Sequence, residues 1–303
     1  MKLSLWSRNC TINVSVMVNS TNCFFLAAMG VALAGCAVTP SAISPSPSDI
    51  APVVVNDRAI IGEMTARATT IMDSGSVVAM KKLIAKLKTE PKIKLNLPKP
   101  NLFSPGEAQK AIAVVGGVYK CNRCPRWHVA PASGFFISDE LIVTNYHVVD
   151  QPDRDGLVVR LFDGRFFMVE DVVAASERFD LAVLRVPKTG IKPISLGQPA
   201  PVGAKVDLIS HPNQKFYTLS EGRVARYFIT QRNRKAVSAM AITADFGKGS
   251  SGAPVLNDSG QVVGIAASTE SLYYTEKDGV QKNLQMVFKN CVPVSQLREL
   301  IGG

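Results

Sequence analysis

The chain has 303 residues, of which 47% are hydrophobic and 19% charged, so it can bury a large core and is not a disordered protein. Its formal net charge is +10, and much of the excess lies in residues 80–100, where seven lysines accompany a single acidic residue, Glu90. The sequence contains no arginine-rich recognition helix and no zinc-finger spacing. We therefore expect a solvated lysine face and no binding of nucleic acid.

An apolar run occupies residues 24–36, FFLAAMGVALAGC. It has the length of a signal-peptide core and is too short to span a bilayer. Its end, from Leu33 to Cys36, resembles the bacterial lipobox, in which the signal is cut before the cysteine and the thiol is acylated. This resemblance predicts a signal peptide over residues 1–36 and a lipid anchor on Cys36.

The residue after the cysteine, Ala37, resembles the pattern of lipoproteins that are passed on to the outer membrane. We therefore expect an exported protein on the periplasmic side of a bacterial membrane, anchored in the outer membrane. Two alternatives stay open: the apolar run is an ordinary buried helix, or translation starts at Met17 or Met29.

The segment after the signal is rich in Pro and Ser over residues 37–58, which is typical of a semi-extended tether. Residues 59–106 form a basic extension, and within it residues 77–89 have apolar residues at positions i, i+3, i+4 and i+7, typical of a one-faced helix. These residues are Met80, Leu83, Ile84 and Leu87. We expect this helix to pack on the main domain; insertion into a membrane surface is the alternative.

From residue 107 to about residue 300 the sequence consists of short apolar strands separated by turn residues, the spacing expected of an all-β barrel or sandwich. A closing helix is expected in PVSQLRELIGG, at the end of the chain, and we expect no further module after Gly303.

Three stretches of this β-rich region carry residues that can act as one catalytic unit. TNYHVV contains His147, FDLAVL contains Asp180, and GSSGAP contains adjacent serines. A neutral imidazole can accept a hydroxyl proton, and a carboxylate on its other nitrogen fixes the tautomer and stabilises the imidazolium. The pattern favours nucleophilic catalysis by a serine.

The order of these motifs resembles the trypsin-like serine peptidases of the chymotrypsin fold, most closely the bacterial Deg/Htr branch without its carboxy-terminal PDZ domain. The resemblance covers about residues 114–297. It implies two six-stranded antiparallel β-barrels after the helical and basic extension, with the peptidase domain over residues 107–300. His147 would be the general base, Asp180 its orienting partner and a serine the nucleophile.

The family pattern G-x-S-G-x-P selects Ser251 as the nucleophile, because a nucleophile at Ser250 would put Ser251 where a residue without a side chain is needed. The same resemblance assigns the oxyanion hole to the backbone N–H groups of Gly249 and Ser251. Ser250 replaces the aspartate that binds a new N-terminus in zymogen-activated relatives, so activation of that kind is not expected.

The primary specificity pocket is predicted to involve Asp245, Ser268 and Thr269. Asp245 lies six residues before Ser251, where trypsins keep the carboxylate that binds Arg or Lys. Ser268 and Thr269 stand where an open pocket would prefer glycine, which favours small or medium apolar substrate residues. In that alternative Asp245 is a turn residue that pairs with Lys248 or faces solvent.

Three cysteines, Cys121, Cys124 and Cys291, lie beyond the signal. In an exported protein a disulfide among them is favoured. The alternative is a zinc site formed by the three thiols and His128.

The sequence thus predicts a serine endopeptidase that acts on polypeptides and uses no cofactor and no metal. A peptide-binding or chaperone-like module on the same fold, without cleavage, is the alternative function. The sequence does not indicate an oligomeric state.

Overall fold

The computed structural model describes residues 53–75, 77–97, 102–232 and 234–302. The predicted signal, Cys36 and most of the predicted tether lie outside this range. Among the helices that are described, none has both the length and the apolar character needed to cross a membrane.

The described part of the amino-terminal extension contains two helices of more than two turns. Helix α1 spans Asp57–Ser74; the side chain of Asn56 accepts a hydrogen bond from the N–H of Ala59 at its start, and Gly75 ends it with φ 72°. Helix α2 spans Met80–Lys88. The residues buried on one face of α1 and α2 are Ile60, Met64, Ala68, Met80, Leu83 and Leu87.

Both helices share one hydrophobic core with the first sheet. Helix α1 contacts strand β2 (Trp127–Phe136) and helix α2 contacts strand β6 (Asp171–Ser176). The prediction that the lysine-rich helix packs against protein is therefore confirmed. Its lysines are exposed, and Lys86 and Lys88 approach Asp171 and Asp150 of the main domain.

The first half of the β-structure is a seven-stranded antiparallel sheet with the order β5-β4-β1-β2-β3-β7-β6. Its other strands are β1 Ile112–Lys120, β3 Leu141–Thr144, β4 Gly156–Arg160, β5 Phe166–Met168 and β7 Leu181–Arg185. Six strands were predicted. The chain adds a seventh, because a tight turn containing Gly164, at φ 90°, folds β5 back onto the edge of β4.

The second half is a closed six-stranded barrel with the order β10-β13-β12-β11-β8-β9. Its strands are β8 Lys205–Ser210, β9 Thr218–Arg232, β10 Lys235–Ile242, β11 Pro254–Leu256, β12 Val262–Lys277 and β13 Val280–Pro293. The predicted chymotrypsin-like, mostly β fold is confirmed. The remaining helices are short: α3 Pro105–Ala108, α4 Tyr146–Val149 and the closing helix α5 Val294–Leu300.

Candidate active site

His147 lies in the single helical turn α4, directly after strand β3. Asn145, with an extended backbone, precedes this turn, and the chain leaves the sheet there, so the imidazole lies beyond the end of the interior strand β3. About half of the His147 side chain, 47%, is exposed. A substrate can therefore reach one edge of the ring.

Asp180 lies in the turn between β6 and β7 and has φ 56°, a left-handed backbone that Asp tolerates better than most residues. The side-chain amide of Asn145 donates to the carbonyl oxygen of Asp180 over 2.9 Å and holds this turn. The Asp180 side chain is only 8% exposed. Its Oδ1 accepts the backbone N–H of His147 over 3.1 Å, and Nδ1 of His147 lies 2.9 Å from the same oxygen.

Ser251 lies in the loop between β10 and β11. Its Oγ is 3.0 Å from Nε2 of His147 and 3.3 Å from the carbonyl oxygen of Ala267. Ser250 points the other way: it is fully buried, and its hydroxyl bonds to the hydroxyl of Ser210 over 2.9 Å. The structure therefore brings His147, Asp180 and Ser251 together and separates the two adjacent serines.

The loop around Ser251 is fixed by its glycines and by Ser133. Gly252, at φ 89°, lies so close to the Ser133 carbonyl that a Cβ would meet that oxygen at 2.2 Å. Ser133 in turn donates its N–H to the carbonyl of Ser251 and its hydroxyl to the carbonyl of Gly249, each over 2.9 Å. The side-chain-free position that the sequence motif requires is thus Gly252.

A hydrogen bond sets the orientation of the peptide group that joins Lys248 and Gly249. The Lys248 carbonyl accepts the N–H of Asn213 over 2.6 Å. Because C=O and N–H point in opposite directions in a trans peptide, the N–H of Gly249 points away from Asn213. Gly249 has φ 99°, and a Cβ there would meet the His211 carbonyl oxygen at 2.5 Å, so glycine is required.

A fourth residue, Arg232, joins the site, and the sequence analysis missed it. Its Nη1 lies 3.0 Å from Oδ2 of Asp180, and its side chain is 32% exposed. Arg232 ends strand β9 in a segment with several basic residues, and no motif distinguishes it from its neighbours. Desolvation of the imidazole, together with the positive charge of Arg232, lowers the pKa of His147 below its ordinary value.

The Ser251 and His147 side chains together border one cleft, and a second cleft lies beside Ala267 and Arg232. One has a volume of about 190 Å³ and is bordered by both side chains together with Gly117, Ala130, Pro131, Ala132, Val148, Gln151, Arg154, Lys248 and Gly249. The other has a volume of about 100 Å³ and is bordered by residues that include Phe179, Arg232, Val237, Ala267, Ser268 and Asn290.

The predicted specificity residues do not lie together in one pocket. The side chain of Asp245 is 90% exposed and pairs with Lys289 at 3.2 Å, so the hypothesis of a desolvated carboxylate at a pocket base is wrong. As in the alternative, the Asp245 carboxylate faces solvent, although its ion-pair partner is Lys289 and not Lys248. Ser268 borders the smaller cleft, whereas Thr269 is exposed and does not appear among its lining residues.

The positions of the three cysteines also differ from the prediction. Cys121 and Cys124 lie in the hairpin loop between β1 and β2, with their sulfurs 3.4 Å apart, and all three cysteines are free thiols. Cys291 is 2% exposed in the core of the closed barrel. A disulfide or metal site that includes Cys291 is therefore wrong, because β13 turns its thiol into another core.

The third histidine of the chain, His211, has a structural position. It is fully buried; its Nδ1 accepts the N–H of Tyr217 over 3.0 Å, and its Nε2 lies 3.2 Å from the Ala113 carbonyl. Burial lowers the pKa of His211 to about 4, so the ring is neutral.

Comparison with known proteins places residues 132–265 within the family model described as a trypsin-like peptidase domain. Over 161 residues the chain is 33% identical to a probable periplasmic serine endoprotease of the DegP-like type from Hahella chejuensis, covering 52% of this chain and 33% of that protein. It is 31% identical over 144 residues to the anti-sigma-I factor RsgI9 of Acetivibrio thermocellus, covering 46% and 19% respectively. The matches thus span a third or less of these two relatives.

Solved structures show the same fold. The active form of the Rv3671c protease from M. tuberculosis superposes with a TM-score of 0.51 and 19% identity, covering 69% of this chain and 90% of that one. The HtrA-type protease AlgW with a decapeptide superposes with a TM-score of 0.52 and 19% identity, covering 66% and 67%.

Proposed function

We propose that this chain, which carries a trypsin-like peptidase domain related to the DegP/HtrA serine proteases, is a serine endopeptidase that acts through His147, Asp180 and Ser251. One observation carries the proposal: Nε2 of His147 lies 3.0 Å from Oγ of Ser251 while its Nδ1 lies 2.9 Å from the buried Asp180 carboxylate. Each distance allows a proton to move or a hydrogen bond to orient the ring.

In the proposed mechanism Oγ of Ser251 attacks the carbonyl carbon of the scissile peptide bond as Nε2 of His147 takes the hydroxyl proton. Asp180 stabilises the resulting imidazolium. When the C–N bond breaks, His147 returns that proton to the leaving amine, and the acyl group stays on Ser251. A water molecule, deprotonated by His147, then releases the acid and restores the serine.

The negative charge on the carbonyl oxygen is proposed to be stabilised by the N–H groups of Gly249 and Ser251. The bond from Asn213 to the Lys248 carbonyl supports this role, because it keeps the carbonyl of this peptide turned away from the site. A preorganised donor of this kind contributes about 3 kcal/mol to transition-state stabilisation.

The proposed substrates are polypeptides bound in extended form across the two clefts. The AlgW complex contains a decapeptide, which supports this class of ligand for the shared fold. Because Ser268 borders one cleft and the Asp245 carboxylate is exposed, we propose that small or medium apolar residues precede the cleaved bond.

The proposed location is the periplasm, which is where the name of the Hahella chejuensis relative places that protein. We also propose that Cys36 is lipidated after cleavage of residues 1–36, that residues 37–58 form the tether, and that the membrane is the outer one. The lipobox-like sequence at residues 33–36 supports these finer points.

A fluorophosphonate probe tests the catalytic proposal directly, because it phosphonylates a serine only when a neighbouring base activates the hydroxyl. The full chain should be labelled on Ser251, and Ser251→Ala should not be labelled. Absence of labelling in a folded chain that still binds unfolded polypeptide would contradict the endopeptidase and favour a peptide-binding module.

A further inference from the structure

The loop between β1 and β2 brings together three side chains that the peptidase chemistry does not use. They are Cys121, Cys124 and His128, and their ligand atoms all lie within 4.8 Å of one another. Cys124 Sγ is 3.4 Å from Cys121 Sγ and 3.1 Å from His128 Nε2. Tetrahedral Zn²⁺ sites, with metal–ligand distances of about 2.0–2.3 Å, place neighbouring ligand atoms about 3.5–3.8 Å apart. Small side-chain rotations would therefore bring the three ligand atoms to the positions that such a site requires.

The strand register explains why these three side chains meet. Tyr119 pairs with His128 across the hairpin, so both side chains stand on the same face of the sheet. Cys121 follows Tyr119 by two residues, and the turn between Cys121 and Cys124 returns the second thiol to the same place. The Tyr119 ring lies 5.4 Å from the imidazole of His128 and supports its orientation.

Backbone N–H groups of Arg123 and Cys124 turn toward Cys121 Sγ. Such amides compensate part of the negative charge of a thiolate, the form of cysteine that binds a metal ion.

From this arrangement we propose that Cys121, Cys124 and His128 bind one thiophilic divalent ion of the Zn²⁺ class. Within the part of the chain that the structure describes, no further Cys, His, Asp or Glu belongs to the cluster, so the fourth coordination position belongs to water. Two thiolates and an imidazole are the donors that Zn²⁺ prefers over Mg²⁺ or Ca²⁺.

The bound ion would fasten the end of the hairpin that borders the larger cleft. Gly117 and Ala130 of this hairpin border that cleft. Arg154, which also borders it, lies over the Tyr119 ring at 4.2 Å. At the hairpin's end, Nε1 of Trp127 donates to Asp73 of helix α1 over 3.0 Å. The proposed role is structural, because none of the three ligands contacts His147 or Ser251.

Cobalt titration tests the site. The full chain is reduced, freed of metal and titrated with Co²⁺ without oxygen; tetrahedral thiolate coordination gives thiolate-to-cobalt charge-transfer absorption and strong visible bands. We expect one equivalent of Co²⁺ to bind, one equivalent of Zn²⁺ to displace it, and the melting temperature to rise with metal.

The variants Cys121→Ser, Cys124→Ser and His128→Ala should each lose this spectrum, while Cys291→Ala should keep it as the matched control. Because Cys121 and Cys124 lie in a surface loop and His128 lies at the start of β2, and none of the three is buried, the metal-free variants should melt close to the temperature of the metal-free wild type. Protein isolated from the periplasm without chelator and without alkylation should carry one equivalent of zinc, and a separate sample, alkylated after denaturation, should show Cys121 and Cys124 as free thiols.

Three results would overturn the proposal: no thiolate-to-cobalt absorption in the reduced wild type, an unchanged spectrum in Cys124→Ser or His128→Ala, or a Cys121–Cys124 disulfide in the periplasmic protein. None of them bears on the endopeptidase, because labelling of Ser251 is measured separately.

Discussion

Arg232 approaches Asp180 within 3.0 Å, on the same carboxylate that contacts the ring of His147. Asp180 is 8% exposed, so this ion pair is largely shielded from solvent. The guanidinium offsets the negative charge that would otherwise stabilise an imidazolium. It therefore acts on the base through Asp180, as a positioning residue, and need not contact the substrate.

Replacement of Arg232 should change the pH dependence of catalysis. His147 must be neutral to accept the Ser251 proton, and desolvation and Arg232 both lower its pKa, so activity extends to lower pH. Arg232→Gln should raise the pKa of His147 and move the acidic limb of kcat/KM to higher pH, by on the order of one unit. The measurement is kcat/KM for a peptide substrate as a function of pH.

The matched control is Arg232→Lys, which keeps the positive charge and should keep the acidic limb close to its wild-type position. A uniform decrease of kcat/KM in Arg232→Gln, without any shift along the pH axis, would assign Arg232 a packing role only.

Substitution of the two adjacent serines should separate chemistry from packing. Ser251→Ala should lower kcat by on the order of 10⁶-fold, because the nucleophile is lost. Its free energy of unfolding should change by less than about 0.5 kcal/mol. Peptide hydrolysis and chemical denaturation measure the two effects.

Ser250→Ala should show the reverse pattern. It removes the buried bond to Ser210 and should cost about 1 kcal/mol of stability while most activity remains. If Ser250→Ala were the inactive variant, the assignment of Ser251 as the nucleophile would be wrong.

The sequence predicted the catalytic candidates because each lies in a short motif that resembles the pattern of trypsin-like peptidases. His147, Asp180 and Ser251 could be named without knowledge of any long-range contact. Arg232 could not, because its role depends on how the end of β9 meets the turn before β7, which local alternation of side chains does not determine.

The same limit applies to Cys291 and to helix α1. The alternation of side chains along β13 indicates that Cys291 points into the protein. It does not tell which of the two hydrophobic cores the thiol enters. Helix α1 buries only Ile60, Met64 and Ala68, at intervals of four residues, and the last of these is a small alanine. Such a weak apolar stripe becomes a packing surface only when β2 is present.

The proposed lipid anchor predicts the behaviour of Cys36→Ser. Without the thiol no diacylglycerol can attach, and the protein should become a soluble periplasmic form. Metabolic labelling with a radioactive fatty acid, followed by separation of membrane and soluble fractions, measures both effects. Ser251→Ala serves as the control, since it should remain labelled and membrane-bound. Unchanged membrane association of Cys36→Ser would point to a different attachment.

Specificity should not depend on Asp245. Its carboxylate is 90% exposed and pairs with Lys289, whose ammonium also donates to the Phe246 carbonyl, so a substrate Arg or Lys gains no desolvated partner there. Asp245→Ser should leave the preferred cleavage sites unchanged and cost at most about 1 kcal/mol of stability, the contribution of an exposed ion pair.

The contrasting variant is Ser268→Gly, at the border of the smaller cleft. Removing that side chain enlarges the space beside Ala267, and larger apolar residues should then be accepted before the cleaved bond. Cleavage-site profiles on a peptide mixture derived from a whole proteome compare wild type, Asp245→Ser and Ser268→Gly. A strong preference for Arg or Lys in the wild type that disappears in Asp245→Ser would show that substrate binding draws this carboxylate into the site, and would overturn the apolar preference proposed here.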